Sequence, residues 1–327
     1  MKYTRLGPLK VSRVGLGLWQ LGSRSWGTRG LKDATGVIKA AVDSGINFFD
    51  TAEIYGWGRS EELLGRALTR LDISDEVVVA SKIAGFRTLT YTILKAARGS
   101  LKRIGRPPDI IQYHWPPPIH ASLCRVARGL EEVIDRGLAH YIGLSNFNKR
   151  LLEGILHCFH RHEPISLQIQ YNLAYRVAEK RLIPFARNHG ISVIAWSPLA
   201  KGGLAGLRKP ASMAQRGDRV FRASTDQRLQ EALELVARSH GASKAQVAIA
   251  WLISKNALPI PGTRSEQRVA EYARASEIEL AESEVRMLDE VSERFRDSWG
   301  DDYSALQWLR YIPSPLQWLS IRLSGGV

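Results

Sequence analysis

The sequence predicts an α/β fold: a closed (β/α)8 barrel of the TIM type, carrying an N-terminal β-hairpin and a C-terminal extension. Three observations lead there. One phrase recurs along the chain, an amphipathic helix, a glycine and then a short apolar strand, seen at Ala40 to Phe49, Val133 to Ile142 and Ala186 to Ile194. The strands are nearly all apolar, as parallel strands buried on both faces should be. Eight such strands alternating with helices in 327 residues favour a closed barrel over an open doubly wound sheet.

The elements follow in order. Tyr3 to Arg5 and Lys10 to Val14 can form a hairpin around Gly7-Pro8. Strands are predicted near Gly15 to Gly17, Asn47 to Asp50, Val77 to Lys82, Ile110 to His114, Tyr141 to Ser145, Leu167 to Gln170, Val193 to Ser197 and Leu258 to Pro261. Between them, Ala34, Val37, Ile38, Ala41 and Val42 make one helical stripe, and Leu123, Val126, Ala127, Leu130 and Val133 make another. The glycine after each helix suits a left-handed cap. The last gap, Asp226 to Lys255, divides into two helices at Gly241. No composition shift marks a boundary, so residues 1–327 are expected to form one domain, with 296–327 as a Trp-rich tail.

Composition narrows the function classes. With 44% hydrophobic and 24% charged residues the chain can bury a sizeable core. No apolar stretch reaches the roughly 20 residues of a membrane helix, and the start lacks the apolar core of a signal peptide, so a cytoplasmic protein without an integral membrane segment is expected. The net charge of +14 invites a nucleic-acid partner, yet Lys and Arg are scattered among acids and no nucleic-acid motif is present. A solvated basic surface with an attraction for anionic small molecules is the expectation. Cys124 and Cys158 lie inside helix-like segments without redox or metal spacing, which predicts buried free thiols. His157, Cys158, His160 and His162 straddle a helix end without zinc-helix geometry and are expected to form a solvated loop.

The chemistry-bearing residues stand at the ends of the apolar runs. Asp50 closes one strand and Tyr55 follows in its loop, while Lys82 and His114 end the next two. Parallel strands of one sheet bring these four to one face, where barrels place their active sites. No Gly-x-Gly-x-x-Gly turn follows a strand; Gly15-Leu16-Gly17-Leu18-Trp19-Gln20 comes closest, and Gln20 stands where the third glycine should be. There is no Gly-x-Ser-x-Gly nucleophile elbow either.

The segments Asp50 to Glu61, Ser81-Lys82, His114-Trp115-Pro116, Gly143 to Phe147, Ser197-Pro198-Leu199 and Ile260 to Thr263 together resemble the aldo-keto reductase family, nearer its bacterial and archaeal members. The resemblance spans Tyr3 to about Leu288. It implies the same barrel, NADPH bound across its mouth and reversible reduction of an aldehyde or ketone. A free tyrosine holds its proton up to a pH near ~10. A neighbouring ammonium, Lys82 kept charged by Asp50, would favour the phenolate, so that Tyr55 serves as general acid in reduction and base in oxidation. His114 would share the oxyanion site.

By the same resemblance Ser145, Asn146 and Gln168 would hold the nicotinamide carboxamide, Trp196 would stack on the nicotinamide, and Ser197, Leu199, Lys201 and Gly203 would lie along the pyrophosphate. Gly262, Thr263, Arg264 and Arg268 open a helix, and a helix N-terminus with arginines suits a phosphate, favouring NADPH over NADH. Where the family usually has Glu-Asn near the adenine this chain has Glu271-Tyr272, and Tyr272 could stack where Asn would hydrogen-bond. Trp19, Trp57 and Trp115 lie in loops near the predicted mouth and could wall a substrate pocket. The tail could lid that pocket, form an oligomer contact or lie on a membrane surface. A cofactor-sensing regulatory subunit with little turnover is the alternative function, because some family members serve as such.

Overall fold

A computed structural model of the chain describes residues 1–22, 30–210, 212 and 215–323. Ten strands are present among them. β1 (Tyr3–Leu6) and β2 (Leu9–Ser12) form the antiparallel hairpin, with Arg5 opposite Lys10. The other eight are β3 (Leu16–Gly17), β4 (Phe48–Asp50), β5 (Val78–Ile83), β6 (Ile110–Tyr113), β7 (Tyr141–Ser145), β8 (Pro164–Gln170), β9 (Ser192–Trp196) and β10 (Ala257–Pro259). Each pairs in parallel with the next in sequence order. The ring is completed between its first and last strands, where Gly15 N–H donates to Pro259 O at 3.0 Å and Gly17 N–H to Pro261 O at 3.1 Å. Gly17 also bridges Gly262 in parallel. Gly17 must be glycine here, since a Cβ on it would lie 2.9 Å from the Ile260 carbonyl oxygen, and Gly262 is tightly placed too, with a Cβ 3.0 Å from the carbonyl oxygen of Gly17.

The predicted strands are all present, with shifted ends. β8 begins at Pro164 rather than near Leu167, and the last strand ends at Pro259 rather than Pro261. His114 stands just past β6, although its N–H still donates to Ile83 O at 2.8 Å, so the ladder runs one residue beyond the strand. The two helical stripes belong to the helices Leu31–Asp43 and Leu123–Asp135, whose buried residues include Ala34, Val37, Ile38 and Ala41 in the first and Val126, Ala127, Leu130 and Val133 in the second. Gly45, Gly137 and Gly190 take left-handed φ values of 83°, 63° and 69°, which is how each recurring phrase turns from helix to strand. The last gap contains Gln227–Ser239 and Lys244–Ser254, split at Gly241, and the short helix Arg219–Ser224, capped by Asp218, precedes it.

Inside the barrel Phe48, Ala80, Ile110, Ile194, Leu258 and Ile260 pack with Leu6 and Val11 of the hairpin, which thereby plugs the end opposite Asp50, Tyr55 and His114. Between barrel and helices runs a larger apolar layer that includes Leu144, Leu152, Leu167, Leu233 and Trp251. The chemistry is left to the one end that the hairpin does not plug.

One expectation is corrected outside the barrel mouth. Cys124 and Cys158 are not free thiols: they form a disulfide, with Cα atoms 4.8 Å apart. Neighbouring β/α units lay the start of the helix Leu123–Asp135 beside the end of Lys149–Leu156, a proximity that the barrel creates and sequence spacing does not reveal. Cys124 is exposed rather than buried. The segment His157 to His162 is a loop with His157, His160 and Arg161 exposed, as expected, and Glu131 Oε1 holds it by accepting the backbone N–H groups of His160, Arg161 and His162 at 2.8, 2.6 and 3.4 Å. Burial alone would raise the Glu131 carboxyl, but these donors and Arg161 bring it below its ordinary value.

The tail folds over the barrel mouth. It contains a 3-10 turn, Gln307–Tyr311, and a final helix, Ser314–Leu323. Gln317, almost fully buried, accepts from Trp115 Nε1 at 3.0 Å and donates to the carbonyls of Leu309 and Ile312 at 2.8 Å each. Ile321, Leu306 and Leu309 pack with Ile54 and Trp115, while Tyr311, Leu316 and Leu319 stay exposed. No helix among the described residues is long and apolar enough to cross a membrane.

Candidate active site

Residues that end or follow β4, β5 and β6 converge at the open end of the barrel. Lys82, wholly buried, forms an ion pair with Asp50 Oδ1 and donates to Thr51 O at 2.9 Å and to the Tyr55 hydroxyl at 3.2 Å. The second oxygen of Asp50 accepts from Gln112 Nε2 at 2.9 Å and from Gln168 Nε2 at 2.7 Å, and Gln168 also donates to Gln112 Oε1 at 3.0 Å. Asp50 is thus aimed by two amides before it meets the ammonium. The Tyr55 and His114 rings meet edge to face, 5.6 Å between centroids.

The charge states follow from burial and neighbours. Burial alone would discharge Lys82, but Asp50 and Tyr55 more than offset it and hold its pKa above the ordinary value. Tyr55 departs from the expectation in direction. Burial raises its pKa, Lys82 lowers it and Asp50 raises it again, and the balance lies above the ordinary value of a phenol. The residue therefore keeps its proton throughout the neutral range, as a proton donor must. Burial and the charge of Lys82 push His114 well below the usual imidazole value, so its ring is neutral. Its Nδ1 is buried with no hydrogen-bond partner among the described residues.

These groups open into a cleft of ≈1070 Å³. Tyr55, His114, Asp50, Asn146, Gln168 and Trp196 line its floor, followed outward by Ser197, Leu199 and Lys201 on one side and Gly262, Thr263, Arg264, Arg268 and Tyr272 on the other. Trp19 and Trp115 also reach it, as do Leu306, Leu309, Ile312 and Ile321 of the tail. The Ser197 hydroxyl is buried and has no hydrogen-bond partner among the described residues. A dinucleotide fits such a cleft in size and chemistry: unsatisfied polar atoms at the floor, and cations with a helix N-terminus, Glu266–Arg274 capped by Ser265, at the far end.

Other predicted residues lie elsewhere. Ser145 is fully buried beneath Asn146, receiving its Nδ2 at 3.0 Å. Gly203 is away from the wall, its carbonyl accepting from Gln230, because a Cβ there would collide with Ser224; Gly202 lines the cleft instead. Glu271 points away, bonded through its carboxylate to Ser243, and so ties its helix to the cap of Lys244–Ser254. Trp57 packs beside Ile54 and Trp115 without reaching the cleft. Lys201 reaches the wall, but its ammonium pairs with Asp218 at 2.6 Å.

Sequence reasoning missed Gln112, Tyr303, Gln307 and Gln317. Gln112 left a signal, a polar residue two positions before His114 in an otherwise apolar strand. Nothing in the tail's sequence singles out its Tyr or Gln.

Comparison with known proteins shows the family. The Aldo/keto reductase family matches residues 13–293. The chain is 35% identical over 313 residues to an uncharacterised oxidoreductase of Mycobacterium tuberculosis, covering 90% of this chain and 94% of that one. It is 30% identical over 334 residues to the versiconal hemiacetal acetate reductase of Aspergillus parasiticus, covering 89% and 96%. Among solved structures it is similar to an aldo-keto reductase from Klebsiella pneumoniae in complex with NADPH, with a TM-score of 0.73 and 27% identity over 86% of this chain and 92% of that one. It is also similar to the glycerol dehydrogenase of Gluconobacter oxydans, with a TM-score of 0.80 and 27% identity over 90% and 95%. A barrel with this Asp, Tyr, Lys and His at its open end, matched over most of its length, belongs to the aldo/keto reductase family of oxidoreductases.

Proposed function

We propose that the protein binds NADP(H) in this cleft and reversibly reduces aldehydes or ketones to alcohols, with Tyr55 as proton donor. The carrying observation is the Tyr55 hydroxyl, 3.2 Å from a wholly buried Lys82 that is itself paired with Asp50 and faces a dinucleotide-sized cleft. When bound in this cleft, NADPH would supply the hydride that reduces the carbonyl carbon. Tyr55 donates its hydroxyl proton to the carbonyl oxygen, and the ammonium of Lys82 stabilises the phenolate left behind. Neutral His114 acts as a second hydrogen-bond donor to the same oxygen. In oxidation the phenolate takes the alcohol proton back.

At the far end Arg264 and Arg268 would pair with the 2′-phosphate of NADPH, and Tyr272 would face the adenine. The NADPH complex of the Klebsiella relative supports this cofactor. Trp19, Trp115 and the tail's Leu306, Leu309 and Ile312 give the substrate side an apolar wall.

The test is an NADPH titration followed by turnover of a panel of aromatic and aliphatic aldehydes. Micromolar binding with steady consumption of NADPH is the expected result. Binding without turnover of any carbonyl would favour the regulatory alternative, and absence of binding would overturn the cofactor reading.

A further inference from the structure

The tail lies beyond the segment matched by the family, yet two of its side chains bond to Asn146, which lines the floor of the cleft. Tyr303, almost wholly buried, donates its hydroxyl to Asn146 Oδ1 at 2.8 Å and accepts the Gln170 N–H at 2.9 Å. Gln307 Nε2 donates to the backbone carbonyl of Asn146 at 2.5 Å. That carbonyl is turned by the left-handed backbone of Asn146, φ 61°, a conformation that costs a non-glycine residue energy unless its surroundings hold it.

The Asn146 side chain has its hydrogen-bonding capacity fully used. Oδ1 accepts from Tyr303 and, at 3.0 Å, from Trp196 Nε1; Nδ2 donates to His114 O at 2.9 Å and to Ser145 Oγ at 3.0 Å. Three of these partners are rigid backbone or deeply buried groups. Trp196 is half-buried and lines the cleft, which makes its bond the exchangeable one. Burial raises the Tyr303 hydroxyl well above the ordinary phenol value, so it remains a donor at every working pH.

We propose that Tyr303, assisted by Gln307, is a positioning residue for Asn146: it fixes the orientation of the Asn146 amide so that one Oδ1 lone pair, released when Trp196 yields, accepts from the NH2 of the nicotinamide carboxamide. The proposal rests on the reading of Asn146 as a carboxamide-binding residue. It makes the tail part of the cofactor site as well as a cover over the substrate side.

Isothermal titration with two probes tests it: NADPH, and adenosine 2′,5′-bisphosphate, which lacks the nicotinamide. Tyr303→Phe removes one bond to a buried acceptor and orphans the Gln170 N–H, and it should weaken NADPH about tenfold. The bisphosphate should keep its affinity to within about twofold, since its contacts lie at the far end of the cleft. In an Asn146→Ala background Tyr303→Phe should add nothing further. Gln307→Leu, which leaves the buried phenol in place, should show the same selectivity for NADPH with a smaller loss.

Equal weakening of both probes, or a fall in melting temperature with unchanged NADPH affinity, would reduce Tyr303 to a structural prop and overturn the proposal while the Asn146 reading stands. Full additivity of the two substitutions would overturn it likewise. Wild-type NADPH affinity in Asn146→Ala would remove the Asn146 reading and the proposal with it.

Discussion

The two ends of the cleft are built differently. At the catalytic end Asp50, Lys82, Gln112 and Gln168 are all nearly inaccessible, and each bonds at least two others or the backbone. At the far end Arg264 and Arg268 are exposed on the first turn of a surface helix and the loop before it. The contrast teaches that the proposed proton-transfer machinery is preorganised by the barrel, whereas the arginines of the proposed phosphate end stand at the solvent-exposed surface. Substitutions at the first end should be costly in rate, and those at the second modest and selective for the ligand.

The largest effect should come from Tyr55→Phe. Loss of the proton donor should lower the reduction rate by roughly 10² to 10⁴ with NADPH affinity unchanged. Near wild-type turnover would break the comparison at its stronger end. In the wild type the rate should stay level from neutral pH until beyond about 10, because burial holds the Tyr55 proton above its ordinary value. A stopped-flow pH profile whose alkaline limb lies at pH 8 would contradict this.

Lys82→Met should be nearly as severe and should also cost stability. It strands Asp50 among two amides without a counter-charge, and breaking a buried pair from one side typically costs about 3–5 kcal/mol. Denaturant midpoints measure it, and a change below about 1 kcal/mol would show that the pair is less buried than the structure has it.

Smaller, and confined to the open end, should be the effect of Arg268→Ala: roughly tenfold weaker NADPH with little change for NADH, the loss of one charge-assisted contact to the 2′-phosphate. Equal losses for the two cofactors would move the phosphate elsewhere.

The smallest prediction concerns pH and stability. The folded chain holds His114 well below the ordinary value near ~6.5, so on acidification the unfolded chain binds a proton that the folded one refuses. Stability from the neutral ring is complete above that value and declines below it. His114→Gln, which does not titrate, should therefore lose less melting temperature between about pH 6.5 and 5 than the wild type. Parallel slopes for the two proteins would show that His114 takes up its proton when folded.

What was legible in the sequence follows the same division. The proposed catalytic residues stand at the ends of apolar runs whose period and length predict the strands, so the sequence alone places Asp50, Lys82 and His114. Tyr55 came from the loop that β4 feeds. Gln168 lines the cleft as the resemblance implies, and its Nε2 also aims Asp50, a contact that sequence spacing does not reveal. Glu271 and Gly203 followed family positions, and local contacts to Ser243 and Ser224 turn them away from the cleft. The tail was the least legible. Its contacts join Asn146 to Tyr303 and Trp115 to Gln317, and nothing in a polar residue of an irregular segment announces a partner so distant in sequence. The disulfide between Cys124 and Cys158 escaped for the same reason.

The seam that closes the barrel has a consequence for how the molecule folds. Gly15 and Gly17 can meet Pro259 and Pro261 only after nearly the whole chain has wound round, so the seam carries the heaviest loop-closure cost and is expected to zip last. With few bonds across it, it is also a natural first place to open, and deuterium should reach the amides of Gly15 and Gly17 sooner than those within β5 and β6. Gly17, Ile260, Pro261 and Gly262 form part of the cleft wall. A ligand seated there spans the first and last strands like a clasp, and each tenfold excess over its dissociation constant should hold the ring shut by about a further 1.4 kcal/mol. Slower exchange at the seam on ligand binding, with the opposite side of the barrel unchanged, would be its signature.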